Sequence, residues 1–490
     1  MISISEIIGF NFIVISPTVV LVLTALILLF FTITIPSSDV LKKLITFLGI
    51  LLTNFFIFLK FGLYLTDGVS SYFSEKILLD EFSLFGNVLI GLILLFTFNS
   101  FWKTSASLEG KTTEAIILIL MSASGFLLMI DSENFIMLFI GLEIGSISLY
   151  ALAGLNRGDK LSNEASLKYF LLGSLASCVL IYGVALLYVS LSISGVYETS
   201  IAINFIGAQN VPLTTLIGMI FIIVGLLFKV AAAPFQAWAP DVYQGSPTGF
   251  VGYMATTAKA ASFIVLARIS AISIRFILDK FELFFTIVVL LSALLGALFA
   301  TNQTDLKRLI AYSGVIQSGF ILSGMVSGVF GISASLFYLF SYIVQLLGIF
   351  SIFSIIKGQL TSNFEIGELS GLFLNNKFLT ISFSIFMFGL AGMPLTSGFV
   401  SKFILITNLW SYEKYLLVVV LMLSTVVGFY FYLRPIWIAS IEKNENPLSK
   451  IDISTSDKVS VGLLAVVTLL LGILPNVLIN LTRWVVENYI

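Results

Sequence analysis

The sequence contains no histidine, one cysteine (Cys178) and only 10 prolines in 490 residues. Without histidine it lacks the commonest haem and zinc ligand, and the one side chain that titrates near neutrality unaided. A single cysteine excludes a disulfide framework and any iron–sulfur cluster held by this chain alone. Charge is also scarce, at 10% Asp, Glu, Lys and Arg, against about 25% in an average soluble domain. The 25 basic and 26 acidic residues leave a formal net charge of −1, which excludes a nucleic-acid-binding surface. What is abundant is apolar surface: 58% of residues are hydrophobic and the mean hydropathy is +1.08. A soluble core of this length could not hide that much, because most side chains would still face water. The composition is that of an integral membrane protein.

A hydrocarbon layer about 30 Å thick takes about 20 apolar residues per helix. On that measure the chain is an all-α polytopic protein with about fourteen spans, the first six near 12–34, 42–65, 84–103, 113–131, 134–154 and 168–192. Four more lie near 212–236, 247–275, 282–300 and 309–327, and the last four near 330–357, 376–410, 415–440 and 459–485. Connections are short, the longest polar stretch running from Glu442 to Lys458. No Lys or Arg precedes Lys42, so the first span lacks the basic flank of a cleaved signal peptide and is expected to be retained. Fifteen Lys and Arg fall beside connections that follow odd-numbered spans, and seven, Lys60 and Arg268 among them, on the opposite side. The positive-inside rule then places the odd connections in the cytoplasm and both termini outside.

Three cations fall within apolar segments instead: Lys229 in LLFKVAAAPF, Lys259 in YMATTAKAASF and Lys402 in SGFVSKFILI. Glu143, in LFIGLEIGSISLY, is the carboxylate nearest the middle of a span. A charge at the bilayer centre costs about 2.5–3.5 kcal/mol on insertion scales, so four together cost on the order of 10 kcal/mol. They must face protein or water. Structural pairing cannot account for all four, since three lysines and one carboxylate leave two positive charges over. Burial disfavours a charged lysine and a nearby carboxylate favours it, so a pair whose separation changes can switch a proton without histidine. Two of the lysine-bearing spans also carry a proline, Pro234 in KVAAAPF and Pro394 in GLAGMPLTSGFVSKF. Proline breaks the helix ladder, and freed backbone groups at membrane depth are tolerated only inside protein or along a wet cavity. Broken helices at matching places in two halves of a chain point to a transporter's internal repeat.

The stretch FKVAAAPFQAWAPDVYQGSPT (228–248) resembles the signature of the antiporter-like subunits of respiratory complex I. GLEIGSISLYALAG (141–154), NEASLKYFLLGSLAS (163–177), TNQTDLKRLIAYSGVIQSGF (301–320) and GLAGMPLTSGFVSKF (389–403) extend the resemblance from span four to span thirteen. PDVYQGSPT and the lysine of GFVSKF are similar to the subunit N group, the counterpart of mitochondrial subunit 2. The largest subunit type adds a lateral helix after the core, whereas this sequence ends at Ile490.

The resemblance implies a proton-pumping module of two inverted five-helix repeats, with broken helices at spans 7 and 12. The N-terminal three-helix region would occupy 1–112, the repeats 113–275 and 276–440, and the C-terminal connection and last helix 441–490. It further implies that Glu143 and Lys229 form a modulating ion pair, that Lys259 sits on the central relay, and that Lys402 ends the path toward the outer side. No cofactor is expected on this chain; NADH, FMN, iron–sulfur clusters and quinone would belong to the rest of the complex. The implied partners are the other membrane subunits, including neighbouring antiporter-like ones, in a bacterial plasma (inner) membrane or the mitochondrial inner membrane. One departure stands out. The family usually has histidine where Gln236 stands here, and glutamine does not titrate near neutral pH.

Other candidates read as structural. Asp305, Lys307 and Arg308 are expected in a solvated cytoplasmic connection, and Arg434 as a snorkelling anchor or a relay partner in span thirteen. Asp241 is expected to hold the loop after the span-seven break, and Cys178 to fill space. Two other readings compete with complex I: a cation/proton antiporter or membrane-bound hydrogenase subunit built on the same core, and a proton-inert membrane scaffold.

Overall fold

A computed structural model describes residues 4–34, 39–106, 111–207, 210–273, 280–357, 364–442 and 453–487. Within them, twelve helices are long and apolar enough to cross a membrane, and two shorter apolar helices, Leu213–Lys229 and Lys377–Ala391, stand where spans seven and twelve are expected to break. The chain divides into two units, Met1–Lys229 with Thr257–Phe276, and Val230–Thr256 with Ile277–Ile490.

The first unit contains α1 (Ile4–Thr34), α2 (Asp39–Asp67), α3 (Glu81–Ala106), α4 (Thr112–Asp131), α5 (Phe135–Ala153), α6 (Lys160–Leu191), α7 (Val196–Ile206) and α8 (Leu213–Lys229). Long apolar runs make these segments helical, and short polar side chains start them. Asn134 accepts from Ile136 N at the head of α5, and Asp159 accepts from Leu161 N at the head of α6, each satisfying a donor that no helix carbonyl can reach. A two-stranded antiparallel hairpin, β1 (Ser70–Tyr72) with β2 (Ile77–Leu79), joins α2 to α3. Neither the hairpin nor the short α7 is evident from hydropathy. Helices α4 and α5 approach closely because glycines face each other. A Cβ on Gly125 would lie 2.3 Å from the Gly145 nitrogen and 2.7 Å from the Gly141 carbonyl oxygen, the small-residue packing on which membrane helices rely in place of a hydrophobic driving force.

The second unit contains α9 (Trp238–Gly245), α11 (Glu282–Thr301), α12 (Leu306–Ser323), α13 (Gly328–Ile356), α14 (Leu372–Asn375), α15 (Lys377–Ala391), α16 (Ser397–Ser411), α17 (Tyr415–Ser440), α18 (Thr455–Ile473) and α19 (Asn476–Glu487). Helix α10 (Thr248–Ile272) is divided between the units at Thr256. Helix α13 is the hub here, packing against α15, α16, α18 and α19. The span expected over 459–485 is two helices, because Pro475 cannot continue the ladder of α18. Likewise the span expected over 212–236 stops being helical at Lys229, and 376–410 divides into α15 and α16. Arg275, Lys443 and Lys450 lie outside the described residues.

The glycine contact yields a test. Gly125→Leu is expected to destabilise the protein by about 1–3 kcal/mol through overpacking against backbone that cannot yield. The fall should appear in the thermal midpoint and the amount of chain in membranes. Gly62→Ala, whose Cβ meets nothing within 4 Å, should change neither.

Candidate functional site

In the first unit the site is built on one face of α5. Glu143, Ser146 and Tyr150 stand at i, i+3 and i+7 and so share that face. Lys229 is the last residue of α8, where the helix dipole favours a cation, and it is 1% exposed. Its Nζ donates to Ser146 Oγ at 2.8 Å and to Tyr150 OH at 2.7 Å, with the Tyr150 ring centroid 5.1 Å away. Glu143, half-buried, accepts from Ser177 Oγ of α6. Among the described residues Glu143 and Lys229 make no direct ion pair. The lysine docks one turn along from the carboxylate, through Ser146 and Tyr150. Lys259, 2% exposed, sits inside α10, whose most apolar stretch is entirely buried.

In the second unit the chain between α8 and α9 is non-helical and holds Pro234. Its backbone groups are met by hydroxyls: Ala233 N donates to Ser292 Oγ at 2.9 Å, and Ser318 Oγ donates to the Val230 carbonyl at 2.7 Å. The Gln236 Oε1 is buried with no hydrogen-bond partner among the described residues. Pro394 occupies the second break, between α15 and α16. Gly392 turns the chain there at φ 86°, a conformation that disfavours any residue with a Cβ. Lys402, 6% exposed, reaches back across this break, and its Nζ donates to the Leu390 and Ala391 carbonyls, both at 3.0 Å. The lysine thereby satisfies acceptors that the end of α15 leaves open. Its Nζ also lies 5.1 Å from the Phe320 ring centroid. The same Leu390 carbonyl accepts from Gln317 Nε2 at 3.2 Å. Gln317 also donates to Tyr432 OH at 2.8 Å and accepts from Tyr338 OH. Lysines held by hydroxyls and carbonyls, with further hydroxyls alongside, suit proton transfer better than ligand capture. Among the described residues no three His, Cys, Asp or Glu side chains gather to hold a metal ion.

Residues 132–428 match the family described as NADH:quinone oxidoreductase/Mrp antiporter, TM. The chain belongs to this family. It is 31% identical over 484 residues, 97% of each chain, to NADH-quinone oxidoreductase subunit N of Trichlorobacter lovleyi. A chain of respiratory complex I from Thermus thermophilus with bound aureothin superposes with a TM-score of 0.80 at 27% identity, covering 95% of this chain and 98% of that one. A chain of an archaeal membrane-bound sulfane sulfur reductase reaches a TM-score of 0.85 at 22% identity, covering 96% and 97%, a likeness of fold.

On this family core the structure adds charges that hydropathy assigned to span ends. Lys60 is wholly buried, and its Nζ lies 2.8 Å from Asp131 Oδ2, whose other oxygen accepts from Asn87 Nδ2 at 2.9 Å. Arg268, 2% exposed, donates to Asp80 Oδ1 at 2.6 Å and to the Ile130 carbonyl at 2.7 Å. Span position alone places both cations on the outer side, and the structure puts both in the interior. The sequence signal available was position: Lys60 lies seven residues inside the end of α2, too deep for an ordinary surface anchor. The 305–308 connection also differs from the solvated loop expected. Lys307, 6% exposed, donates to the Gln244 and Ser246 carbonyls at 3.2 and 2.9 Å, where α9 ends. Arg308 pairs with Asp241 at 2.6 Å, and burial pushes the Asp305 carboxyl above its ordinary range.

Lys60→Met is expected to cost about 3–5 kcal/mol, because it leaves Asp131 a buried charge without its cation. Lys60→Met with Asp131→Leu should regain most of that loss. Thermal midpoints of the purified assembly compare the two, and a double variant no more stable than the single one would contradict the pairing.

Proposed function

We propose that this chain is a proton-translocating membrane subunit of NADH:quinone oxidoreductase, and that Glu143, Lys229, Lys259 and Lys402 carry its proton relay. One observation carries the reading: buried lysines stand at two helix breaks, held by hydroxyls and carbonyls rather than by carboxylates. A buried lysine without a bound counter-charge gains or loses its proton in response to modest movement of a nearby charge. Glu143 is that charge for Lys229. A change of rotamer at the Glu143 side chain brings its carboxylate toward Nζ or withdraws it, with Ser146 and Tyr150 as exchangeable partners. Lys259 passes the proton on within the membrane, and Lys402 delivers it at the second break.

Pro234 and Pro394 open the helices so that water and backbone carbonyls share the path. With glutamine at 236, relay steps between lysines use hydroxyls and water. The architecture is read as two inverted five-helix repeats, 113–275 and 276–440. The odd connections face the cytoplasm of a bacterial cell and both termini lie outside the plasma (inner) membrane. Electron transfer through NADH, FMN, iron–sulfur clusters and quinone takes place on other subunits, and the neighbouring antiporter-like subunits are this chain's membrane partners.

Membrane vesicles carrying Lys229→Ala or Glu143→Gln are expected to assemble the complex at normal levels. Quinone reduction by NADH and proton uptake should both drop to a small fraction of wild type. Full turnover and uptake in both variants would leave the relay without support and favour a scaffold. Lys259→Arg should also slow turnover, since a guanidinium does not release its proton; wild-type rates would remove Lys259 from the path.

A further inference from the structure

The connection between α4 and α5 carries a buried carboxylate that the relay above does not use. Glu133 is 5% exposed and is clamped from two sides. Its N–H donates to the Lys76 carbonyl of the hairpin at 3.0 Å, and its own carbonyl accepts from Val196 N at the head of α7 at 2.9 Å. One carboxylate oxygen, Oε1, accepts from Tyr197 N at 2.7 Å. The other, Oε2, is buried with no hydrogen-bond partner among the described residues. Glu133 also lines a cavity of about 580 Å³ walled by the hairpin, Asn134, Ser194, Glu198 and Ile201. That volume is ample for water, and the walls offer polar partners for it.

On the protein side lie the interior pairs Arg268–Asp80 and Lys60–Asp131. Arg268 bonds the carbonyls of Ile130 and Ser132, the residues leading into Glu133. It stands on α10, nine residues beyond Lys259.

We propose that Glu133 is a proton-exchange group between the water of this cavity and the buried charge cluster behind it, a port to the first unit separate from Lys402. The step is a bare proton transfer: hydronium gives its proton to Oε2 and leaves as water, and the reverse step returns it. The inference rests on the proton-translocating reading above. Several charged groups bear on Glu133. Arg268 from α10 favours its ionised form; Asp80 before α3 and Glu198 of α7 disfavour it, and Glu75 of the hairpin lines the same cavity. Burial outweighs the Tyr197 N–H bond and the Arg268 charge, and pushes the carboxyl up to about 7. The group therefore changes charge near neutral pH.

The test uses the whole complex in sealed vesicles, with pH varied on the side facing the cavity. Wild-type turnover should show an inflection near neutral pH, falling on the acid side, where Glu133 stays protonated and cannot pass protons on. Glu133→Gln, which keeps the Tyr197 bond, should assemble, lose the inflection and pump severalfold more slowly, and Glu133→Asp should recover part of both. A second arm does not depend on folding of a Glu133 variant. Ser71→Cys, on the cavity wall, is combined with Cys178→Ser and labelled after assembly with cationic or anionic methanethiosulfonate reagents. The cationic label should move the inflection to lower pH and the anionic label to higher pH. An inflection that survives Glu133→Gln, or that neither label moves, overturns the proposal. If Glu133→Gln pumps normally while Lys229→Ala does not, this port fails and the relay stands. If Lys229→Ala also pumps normally, the relay reading itself has failed.

Discussion

In hydrocarbon, every backbone polar group and every charge must find its partner within protein or trapped water, because leaving one unpaired costs several kcal/mol. The structure depends on how that requirement is met where two helices are interrupted. At the first break Ser292 and Ser318 satisfy the amide of Ala233 and the carbonyl of Val230. At the second, a lysine does so. Lys402 is at once the charge that must be compensated and the donor that completes the end of α15. One contact thus settles two costs, and the conformation of the break and the protonation of the lysine become linked: removing the proton weakens the hold on the carbonyls. A helix break built this way responds to charge.

Lys229 uses the other solution. It ends α8 rather than bridging a break, and its partners are Ser146 and Tyr150, both able to donate as well as accept. The carboxylate that the family resemblance pairs with it is bonded to Ser177. Separating the two charges by one helical turn keeps the lysine from being locked into a permanent buried ion pair, which would be strongly resistant to change. Gly141 and Gly145 bring α4 against α5 at backbone distance, so the helix carrying Glu143 is held by rigid packing on one side, while Glu143, Ser146 and Tyr150 share the opposite face.

How much of this was legible in the sequence follows from dimension. A lysine in LLFKVAAAPF or SGFVSKFILI is conspicuous along the chain, because everything near it in sequence is apolar. Proline and glycine at the breaks are equally local. The Lys60–Asp131 pair is separated by 71 residues, so nothing beside either member along the chain points to the other. Hydropathy averages over a window and cannot see which end residues turn inward. The hairpin at 70–79 and the short α7 escaped for a related reason, being too short for a window about 20 residues wide. Lys307 and Arg308 looked like positive-inside charge, and only the position of α9 shows that they close the carbonyl end of that helix and bind Asp241.

The absence of histidine acquires its meaning from these side chains. A relay needs groups that change protonation without large rearrangement, and here Lys229 has hydroxyl partners whose hydrogen bonds can reverse direction, while Lys402 rests on carbonyls that water can replace. Tyr150 beside Lys229, and the Tyr338–Gln317–Tyr432 chain that meets Lys402 at the Leu390 carbonyl, are such partners. None of them carries a proton as a stable charge, so the charge itself stays on lysine and on carboxylates. On the proposed relay, that division of labour lets few charged residues suffice in so large a chain: hydroxyls and water would supply the path, and the rare buried charges would determine when a proton can use it.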